Sequence, residues 1–472
     1  WLGPILLRRT PLKILLRVRG TLALEATVLL LAAAFSFTPG EAPSESMHPD
    51  VHQPPDLREH PNILIITVDA LRADHIGAYG NPAGLTPALD ELSRDGIVFE
   101  QAFTSAPWTR ASIASMFTAA PPATHQVDSE RARLPDEATT LAEVLSERTY
   151  VTGGFPNDID VARSFNFQQG FDYFDFQAPA ALAGATESAS RLRLYRFLRQ
   201  HTLAHVPARV EDHYQPAEVV LDQARRFITV NQDRRWFVWV HLMEPHAPYF
   251  SHQGGAVRIE RPRQLAQTRV RYAEEVRWMD HQLGETFAWL RAEGLMDTTA
   301  VVITADHGQE FGDHGSRGRG NSLYDEQLRV PLIIRLPNGQ DGGIRVPWQV
   351  RQIDVAPTIA RLVGSPPPED WLGASLLDME FTAWLSRPGG ARISGRPLIA
   401  ETQRRGARMT AIRTGGWKYI RSTEAGPQGQ IAEELYHVAT DPGERFDLAG
   451  REGARQAQLA AELRRLSWIE AP

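Results

Sequence analysis

The sequence predicts an α/β fold with a mostly parallel central sheet and helices on both of its faces. Buried-strand runs alternate with amphipathic helical segments along most of the 472 residues, an alternation typical of parallel sheets. Three strand runs end in segments that contain Asp, His or both, as expected where a site lies beyond the carboxyl ends of parallel strands. From about Gly390 short strand-like pieces dominate, which predicts a small C-terminal α+β subdomain.

The first strand and the first helices are predicted from composition and from capping residues. "NILIITV" (62–68) is a continuous apolar, β-branched run, typical of a strand buried on both faces. Thr86 followed by Pro87 predicts a helix start. Thr140 and Glu143 have the spacing of a capping box, so a second helix is expected to begin there.

The rest of the sheet is predicted from further apolar runs. "WFVWV" (236–240), "AVVIT" (300–304) and "VPLIIRL" (330–336) are strand candidates. Between the first two of them, "YAEEVRWMDHQLGETFAWLRAEG" (272–294) predicts a long amphipathic helix that closes on a glycine.

The N-terminal residues 1–38 predict a signal peptide or a membrane anchor, followed by a linker over 39–60. Basic "RRTPLKILLRVRG" precedes apolar "LALEATVLLLAAAFSF" and a polar spacer, which is the order found in export signals. The positive-inside rule then places the body outside the cytoplasm, in the periplasm or anchored at the membrane. An amphipathic or buried helix is the alternative, because the apolar run is somewhat shorter than the roughly 20 residues of a comfortable span.

The composition excludes several kinds of chemistry. The chain contains no cysteine, so disulfides, zinc–thiolate sites and cysteine nucleophiles are excluded. Its net charge of -7 does not favour a nucleic-acid partner.

Residues that bind metals or transfer protons follow three of the predicted strands. "NILIITV" is followed by Asp69, "WFVWV" by "HLMEPHAPY", and "AVVIT" by "ADHGQEFGDHG". One such Asp is commonly a helix cap, but the three endings should meet at one sheet edge. Asp and His together suit a divalent cation such as zinc or manganese.

Seven segments, in order along the chain, resemble the sulfatase branch of the alkaline phosphatase superfamily. They are "PNILIITVDALRADHIGAYG", "TPALDELSRDGIVFEQAFTSAPWT", "PHAPY", "DHGQEFGDHG", "LYDEQLRVPLIIR", "QIDVAPTIARLVG" and "ELYHVATDPGERFDLAG". The resemblance covers roughly residues 60–450. It implies an alkaline-phosphatase-like fold, with a catalytic domain over 61–390 and the small subdomain over 391–472.

The nucleophile motif of that family fits this sequence in two registers. Ser105–Pro107 resembles its serine form, but Thr109 then stands where arginine is expected. Counting back from Thr118, which with the next residue resembles the motif's Thr-Gly end, places Thr109 at the nucleophile and Ser112 at a small polar position. "PWTRASIASMFTA" is then similar to the variant in which threonine attacks directly. We predict Thr109, since a helix N-terminus favours an anionic substrate and a metal ion activates a hydroxyl.

The resemblance implies a metal site made of Asp69, Asp306 and His307, with Thr109 as the fourth ligand. Calcium-dependent sulfatases are similar, but they have Asn at the position of His307 and a second Asp where this chain has Ala70. Both differences favour zinc or manganese, with calcium as the alternative, and both favour phosphoester over sulfate chemistry.

Further site residues are predicted from their places in the matching segments. His246 resembles the histidine that contacts the substrate or protonates the leaving group, and Arg319 would clamp an oxyanion. Arg110 and His314 are predicted substrate contacts, whereas His241 is predicted to be structural. A structural or solvent-facing role is the alternative for His246, Arg319 and Arg110.

The predicted function is therefore a metal-dependent hydrolase of sulfate- or phosphate-type esters. Its substrate would be a small-molecule, glycan-linked or lipid-linked anionic ester, and only the N-terminal segment would contact a membrane. A phosphoethanolamine or phosphoglycerol transferase on the same fold is one alternative, and an inactive binding protein is another. Sulfatases of this family act through a formylglycine side chain, whose hydrate is needed to release sulfate. Thr109 cannot form such a hydrate, so phosphoryl esters are expected to be preferred over sulfate esters.

Overall fold

Nine strands form the central sheet in the part of the chain that this computed structural model describes. That part comprises residues 45–54, 57, 59–177, 213–250, 259–260, 265–377, 396–404, 408–425 and 431–466. The predicted leader (1–38) lies outside it, as does the predicted domain boundary at residue 390, and both stay predictions. No helix among the described residues has the length and apolar character needed to cross a membrane.

The strands and α-helices are numbered here in chain order. The strands are β1 (Asn62–Val68), β2 (Ile97–Phe103), β3 (Val151–Phe155), β4 (Tyr173–Phe174), β5 (Trp236–Leu242), β6 (Tyr249–Phe250), β7 (Ile259–Glu260), β8 (Thr299–Ala305), β9 (Glu310–Phe311), β10 (Arg317–Gly318), β11 (Arg329–Val330), β12 (Leu332–Arg335), β13 (Arg345–Arg351), β14 (Leu398–Thr402), β15 (Met409–Thr414), β16 (Trp417–Ala425) and β17 (Ile431–Tyr436). The α-helices are α1 (Pro87–Arg94), α2 (Thr109–Thr118), α3 (Pro122–His125), α4 (Leu141–Glu147), α5 (Ala217–Val230), α6 (Leu265–Ala292), α7 (Asp325–Leu328), α8 (Val355–Leu362) and α9 (Gly453–Leu466).

The central sheet is largely parallel, as the sequence predicts. Its strand order is β11-β2-β12-β8-β1-β5-β3-β4, and β13 pairs with β2. The run from β8 to β4 is parallel throughout, whereas β12 is antiparallel to both of its neighbours. Every residue of β1, β5 and β8 is buried, which explains why these strands read as unbroken apolar runs.

Helices cover both faces of this sheet. Successive residues of a strand point to opposite faces of the sheet. Two adjacent glycines of β3 therefore show which side chains lie on each face. A side chain at Gly153 would meet Phe227 of α5, and one at Gly154 would meet Phe171. Phe171 packs edge-on against Phe117 of α2. Thus α5 and α2 lie on opposite faces, which confirms the prediction.

A second, antiparallel sheet forms the C-terminal part of the described chain. Its strand order is β14-β15-β16-β17. Leu459 and Leu463 of α9 pack against Ile412 and Tyr419 of this sheet. The small C-terminal α+β subdomain predicted from the sequence is therefore present.

Candidate active site

The predicted site residues meet at one edge of the central sheet. β1 lies between β5 and β8, and its last residue pairs with the last residue of each. The three strands therefore end level with one another. Asp69 directly follows β1, and Asp306 and His307 directly follow β8, so the fold delivers all three to the same edge.

Four predicted residues are in close contact in the interior. Nε2 of His307 lies 3.5 Å from Oδ1 of Asp69 and 3.3 Å from Oδ2 of Asp306. Oγ1 of Thr109 lies 3.4 Å from Oδ2 of Asp69 and 3.4 Å from Nε2 of His307. All four side chains are completely buried. The structure thus brings together the ligand set that the resemblance implies.

His241 joins this cluster, although the sequence predicted a structural role for it. It lies on β5 opposite Thr67 of β1, and its Nε2 is 3.8 Å from Oδ2 of Asp306. Ligand atoms of Asp69, His241 and Asp306 all lie within 4.8 Å of one another, a spacing that one cation can bridge. The sequence signal was its place one residue before the end of a strand whose neighbour is directly followed by Asp69.

Several polar atoms of the cluster have no hydrogen-bond partner among the described residues. They are Oδ1 of Asp69, Oδ2 of Asp306 and both ring nitrogens of His241. Buried polar atoms are rarely left in this state, and a bound cation would satisfy carboxylate and imidazole donors together. The residues present therefore fit a divalent metal ion.

The charges of the cluster also favour a cation. Burial, together with the nearby Asp306, raises the pKa of Asp69 well above its usual value. Burial lowers the pKa of His307 to about 4, so this imidazole is neutral near pH 7 and can serve as a ligand. A divalent ion would offset the repulsion between the two carboxylates.

Helix α2 presents Thr109 to the cluster from its first position. Trp108 precedes it in an extended conformation, and its side chain does not cap the helix. The N–H groups and the positive dipole end of a helix favour an anion at this position. The helix ends at Ala119, whose φ of 50° lies in the left-handed region that glycine usually occupies.

The helix end and the two candidate hydroxyls bear on the predicted register, which stays a prediction. Ala119 occupies the position of the glycine in the family's Thr-Gly end, and it adopts the conformation for which glycine is favoured. The hydroxyl of Ser105 is buried and makes no hydrogen bond with a described residue. Thr109, by contrast, lies within 3.4 Å of two members of the cluster.

Ser112 links α2 to the strand end that carries Asp306. Its Oγ lies 2.5 Å from the backbone oxygen of Asp306, 2.8 Å from Oε1 of Gln352 and 2.7 Å from Oγ1 of Thr104. Nε2 of Gln352 donates to the carbonyl of Ala305 at 2.6 Å. These bonds fix the backbone of β8 relative to the helix, and so they position Asp306 beside Thr109.

His246 and Arg319 lie beside the cluster and contact each other. Nη1 of Arg319 donates to Nε2 of His246. Burial opposes the positive charge of Arg319, but Asp69 and other nearby carboxylates raise its pKa above the usual value. Burial lowers the pKa of His246 well below its usual range, and the charge of Arg319 adds to that effect. The pair is thus a fixed cation beside a neutral imidazole.

Arg110 and His314, the predicted substrate contacts, are engaged within the protein. Arg110 donates to the carboxylate of Asp160 at 2.5 Å and to three backbone carbonyls, and it packs on the ring of Phe165. His314 is bonded to the carboxylate of Glu326 at 2.7 Å and stacks on a tyrosine. The polar atoms of both side chains are thus engaged within the protein, and their contact with a substrate stays a prediction.

The chain matches two family models. The model described as Sulfatase matches residues 61–365. The model described as N-sulphoglucosamine sulphohydrolase, C-terminal, matches residues 312–468. Together they span the central sheet and the C-terminal sheet.

Similar proteins and a similar structure agree with these matches. Human arylsulfatase A is 24% identical over 463 residues, covering 87% of this chain and 88% of that protein. The delta 4,5-hexuronate-2-O-sulfatase of Bacteroides thetaiotaomicron is 24% identical over 465 residues, with the same coverage of 87% and 88%. The phosphonate monoester hydrolase of Agrobacterium radiobacter superposes with a TM-score of 0.67 at 21% identity, covering 86% of this chain and 95% of that one. The last comparison shows that the fold is shared.

Proposed function

The chain belongs to the sulfatase family of ester hydrolases, and we propose that it cleaves an anionic ester with Thr109 as the nucleophile and a divalent metal ion as cofactor. One observation carries the proposal: the Thr109 hydroxyl lies at a helix N-terminus, 3.4 Å from both Asp69 and His307. That arrangement places a nucleophile, two side chains able to bind a metal ion, and an anion-binding helix end close together.

Asp69, His241, Asp306 and His307 would hold the ion, with zinc or manganese favoured by the mixed donor set. When bound, such an ion lowers the pKa of a hydroxyl in contact with it. The buried surroundings exclude bulk water, which strengthens each electrostatic interaction in the site.

The neighbouring side chains would handle the substrate's charge and the leaving group. Arg319 would donate to the oxygens of the tetrahedral anion through its fork of N–H groups. Because Nε2 of His246 accepts from Arg319, the neutral ring carries its proton on Nδ1, which has no hydrogen-bond partner among the described residues. That N–H would stabilise negative charge developing on the leaving-group oxygen by donating a hydrogen bond, and the neutral ring would keep its proton.

We further propose that phosphoryl-type esters are preferred over sulfate esters. Thr109 bears a single hydroxyl on an sp³ carbon, so its covalent intermediate must be cleared by attack of water on the central atom rather than by collapse of a hydrate. A phosphothreonine can follow that route. The named substrates of the relatives are sulfated compounds, whereas the structurally similar hydrolase acts on phosphonate monoesters, so the family fold supports both chemistries.

The test compares matched aryl sulfate, phosphate monoester, phosphodiester and phosphonate monoester substrates with zinc or manganese supplied. We expect a phosphoryl substrate to have the highest kcat/KM. Thr109→Ala should reduce turnover by at least about 1,000-fold, while Thr109→Ser keeps partial activity because a hydroxyl remains. A tenfold preference for the sulfate would refute the phosphoryl preference. Normal turnover by Thr109→Ala, with Ser105→Ala inactive, would refute the nucleophile assignment.

A further inference from the structure

An arginine from the C-terminal sheet reaches the candidate active site. Arg404 lies just beyond the end of β14, next to Gly320 and Trp108. A Cβ added at Gly320 would lie 2.9 Å from Cδ of Arg404 and 3.5 Å from Cβ of Trp108, and the Arg404 guanidinium lies 5.3 Å from the centre of the Trp108 ring. Gly320 follows Arg319 and Trp108 precedes Thr109, so Arg404 contacts the sequence neighbours of both site residues.

The position of Arg404 is fixed by the backbone that precedes it. The hydroxyl of Thr402, the last residue of β14, donates to the carbonyl of Gly320 at 3.3 Å. The backbone N–H of Glu401 donates to the carbonyl of Ser105 at 2.9 Å. The end of β14 is thus tied both to the loop that carries Arg319 and to the segment that leads into α2.

The charge of Arg404 acts on the site. Burial is the main cause of the low pKa of His246, and the positive charge of Arg404 lowers that pKa further. Its side chain keeps 13% of its surface exposed, whereas the Thr109 side chain is completely buried. Arg404 is therefore mostly buried but less completely than Thr109, and its charge reaches His246.

Two carboxylates lie near the Arg404 guanidinium, each beyond the distance of a close ion pair. Its Nη2 lies 3.7 Å from one carboxylate oxygen of Asp160, and its Nε lies 3.7 Å from the carboxylate of Glu130. Arg110 holds the other oxygen of Asp160 at 2.5 Å. Asp160 therefore keeps a close partner when Arg404 shifts toward an anion.

We propose that Arg404 determines specificity by binding a second negatively charged group of the substrate, separate from the ester that Thr109 attacks. The ester's own charge would be met by the metal, the α2 N-terminus and Arg319. The Arg404 guanidinium has N–H donors that match a carboxylate, phosphate or sulfate. It would therefore select an ester whose leaving group carries such an anion. This inference rests on the proposed function and narrows its substrate class.

The experiment uses two aryl esters with the preferred headgroup, one with a carboxylate on the leaving group and one with a neutral substituent of equal electronic effect. The wild-type enzyme should prefer the carboxylated ester. Arg404→Ala should raise its KM at least tenfold with kcat nearly unchanged, and should leave the neutral ester unaffected. Arg404→Lys should restore part of the preference. Arg408→Ala, four residues along the same subdomain, is the matched control and should behave as wild type.

The results separate this inference from the function on which it rests. An equal loss on both esters in Arg404→Ala would overturn it, because the residue would then serve the ester itself or the fold. No preference for the carboxylated ester in the wild-type enzyme would overturn it as well. If neither ester is turned over, the proposed function fails, and calorimetric binding of the same two esters to wild type and Arg404→Ala decides the inference: equal affinities would reject it.

Discussion

His241 is a buried residue whose ring lies near Asp306 but outside hydrogen-bond distance of its carboxylate. Neither of its ring nitrogens has a hydrogen-bond partner among the described residues, and an unsatisfied buried polar group costs about 1–3 kcal/mol. His125 offers the contrast, since its Nε2 lies 2.9 Å from Oγ of Ser115 and its Nδ1 accepts from the N–H of Val127 at 3.1 Å. Described residues therefore supply hydrogen-bond partners for both ring nitrogens of His125 but for neither ring nitrogen of His241.

We expect His241→Leu to lower metal affinity and turnover together, each by at least about tenfold, because one nitrogen donor is lost from a small set. The metal-free variant should be as stable as metal-free wild type or more so, since an unsatisfied polar group is replaced by an apolar one. His125→Leu, the control, should lose stability and keep its metal content. Elemental analysis and thermal unfolding measure both properties. Full metal occupancy in His241→Leu would show that this ring is not a ligand.

Among the elements, α2 carries the site at its first residue and backbone strain at its end. Ala119 holds a φ of 50°, and its carbonyl accepts the N–H groups of Leu372 and Gly373 at 3.0 and 2.9 Å. Those two bonds keep the helix end in a conformation that an L-residue rarely adopts. The strain lies a whole helix away from Thr109, so it can be relieved without touching the chemistry.

Ala119→Gly should therefore stabilise the protein slightly and leave turnover unchanged. The left-handed conformation costs an L-residue roughly 1–2 kcal/mol, and the greater flexibility of glycine in the unfolded chain offsets about 0.5–1 kcal/mol of that gain. Ala120→Gly is the matched control, because Ala120 is not in the left-handed region, and it should be destabilising. Denaturant unfolding gives both free energies. A loss of stability in Ala119→Gly would contradict the strain argument.

At the scale of the whole molecule, a buried lysine joins the C-terminal sheet to the central part. Nζ of Lys418 on β16 lies 2.8 Å from Asp325 of α7 and 2.7 Å from Glu444, and the Lys418 side chain has no exposed surface. Arg413 of β15 adds a second bond to Asp325 at 3.3 Å. This network fixes the sheet from which Arg404 extends.

Lys418→Met should destabilise the protein by about 3–5 kcal/mol, because buried carboxylates lose their partner. Adding Glu444→Gln should recover part of the loss, since Asp325 still has Arg413. The recovery distinguishes lost charge pairing from poor packing of the methionine. Chemical denaturation of the two variants and of Glu444→Gln alone measures the coupling. A stable Lys418→Met single variant would mean that the network does not hold the sheet in place.

The sequence predicted the central sheet well and the site in part, for physical reasons that individual residues illustrate. Asp69 and Asp306 follow buried strands, and the parallel arrangement of those strands brings their ends together without further information. His241 lies within such a buried strand, so its position in the sequence indicates a core residue rather than a site residue. Arg404 comes near the site only because the C-terminal sheet packs against the central part of the protein. The local sequence pattern does not predict that packing. Arg110 adjoins Thr109 in sequence, yet adjacency does not determine where a side chain points.

The pairing of β1 between β5 and β8 has a consequence for how the protein is made. Asp69 leaves the ribosome long before Asp306 and His307 do, and no contiguous stretch of the chain carries the cluster without most of the central sheet. β1 cannot gain its second parallel neighbour until β8 has been synthesised, and such long-range pairings form slowly because the loop between them must first close. A nascent chain that ends before β8 therefore cannot bring Asp69 beside Asp306 and His307. Binding of the proposed metal ion would have to follow that pairing.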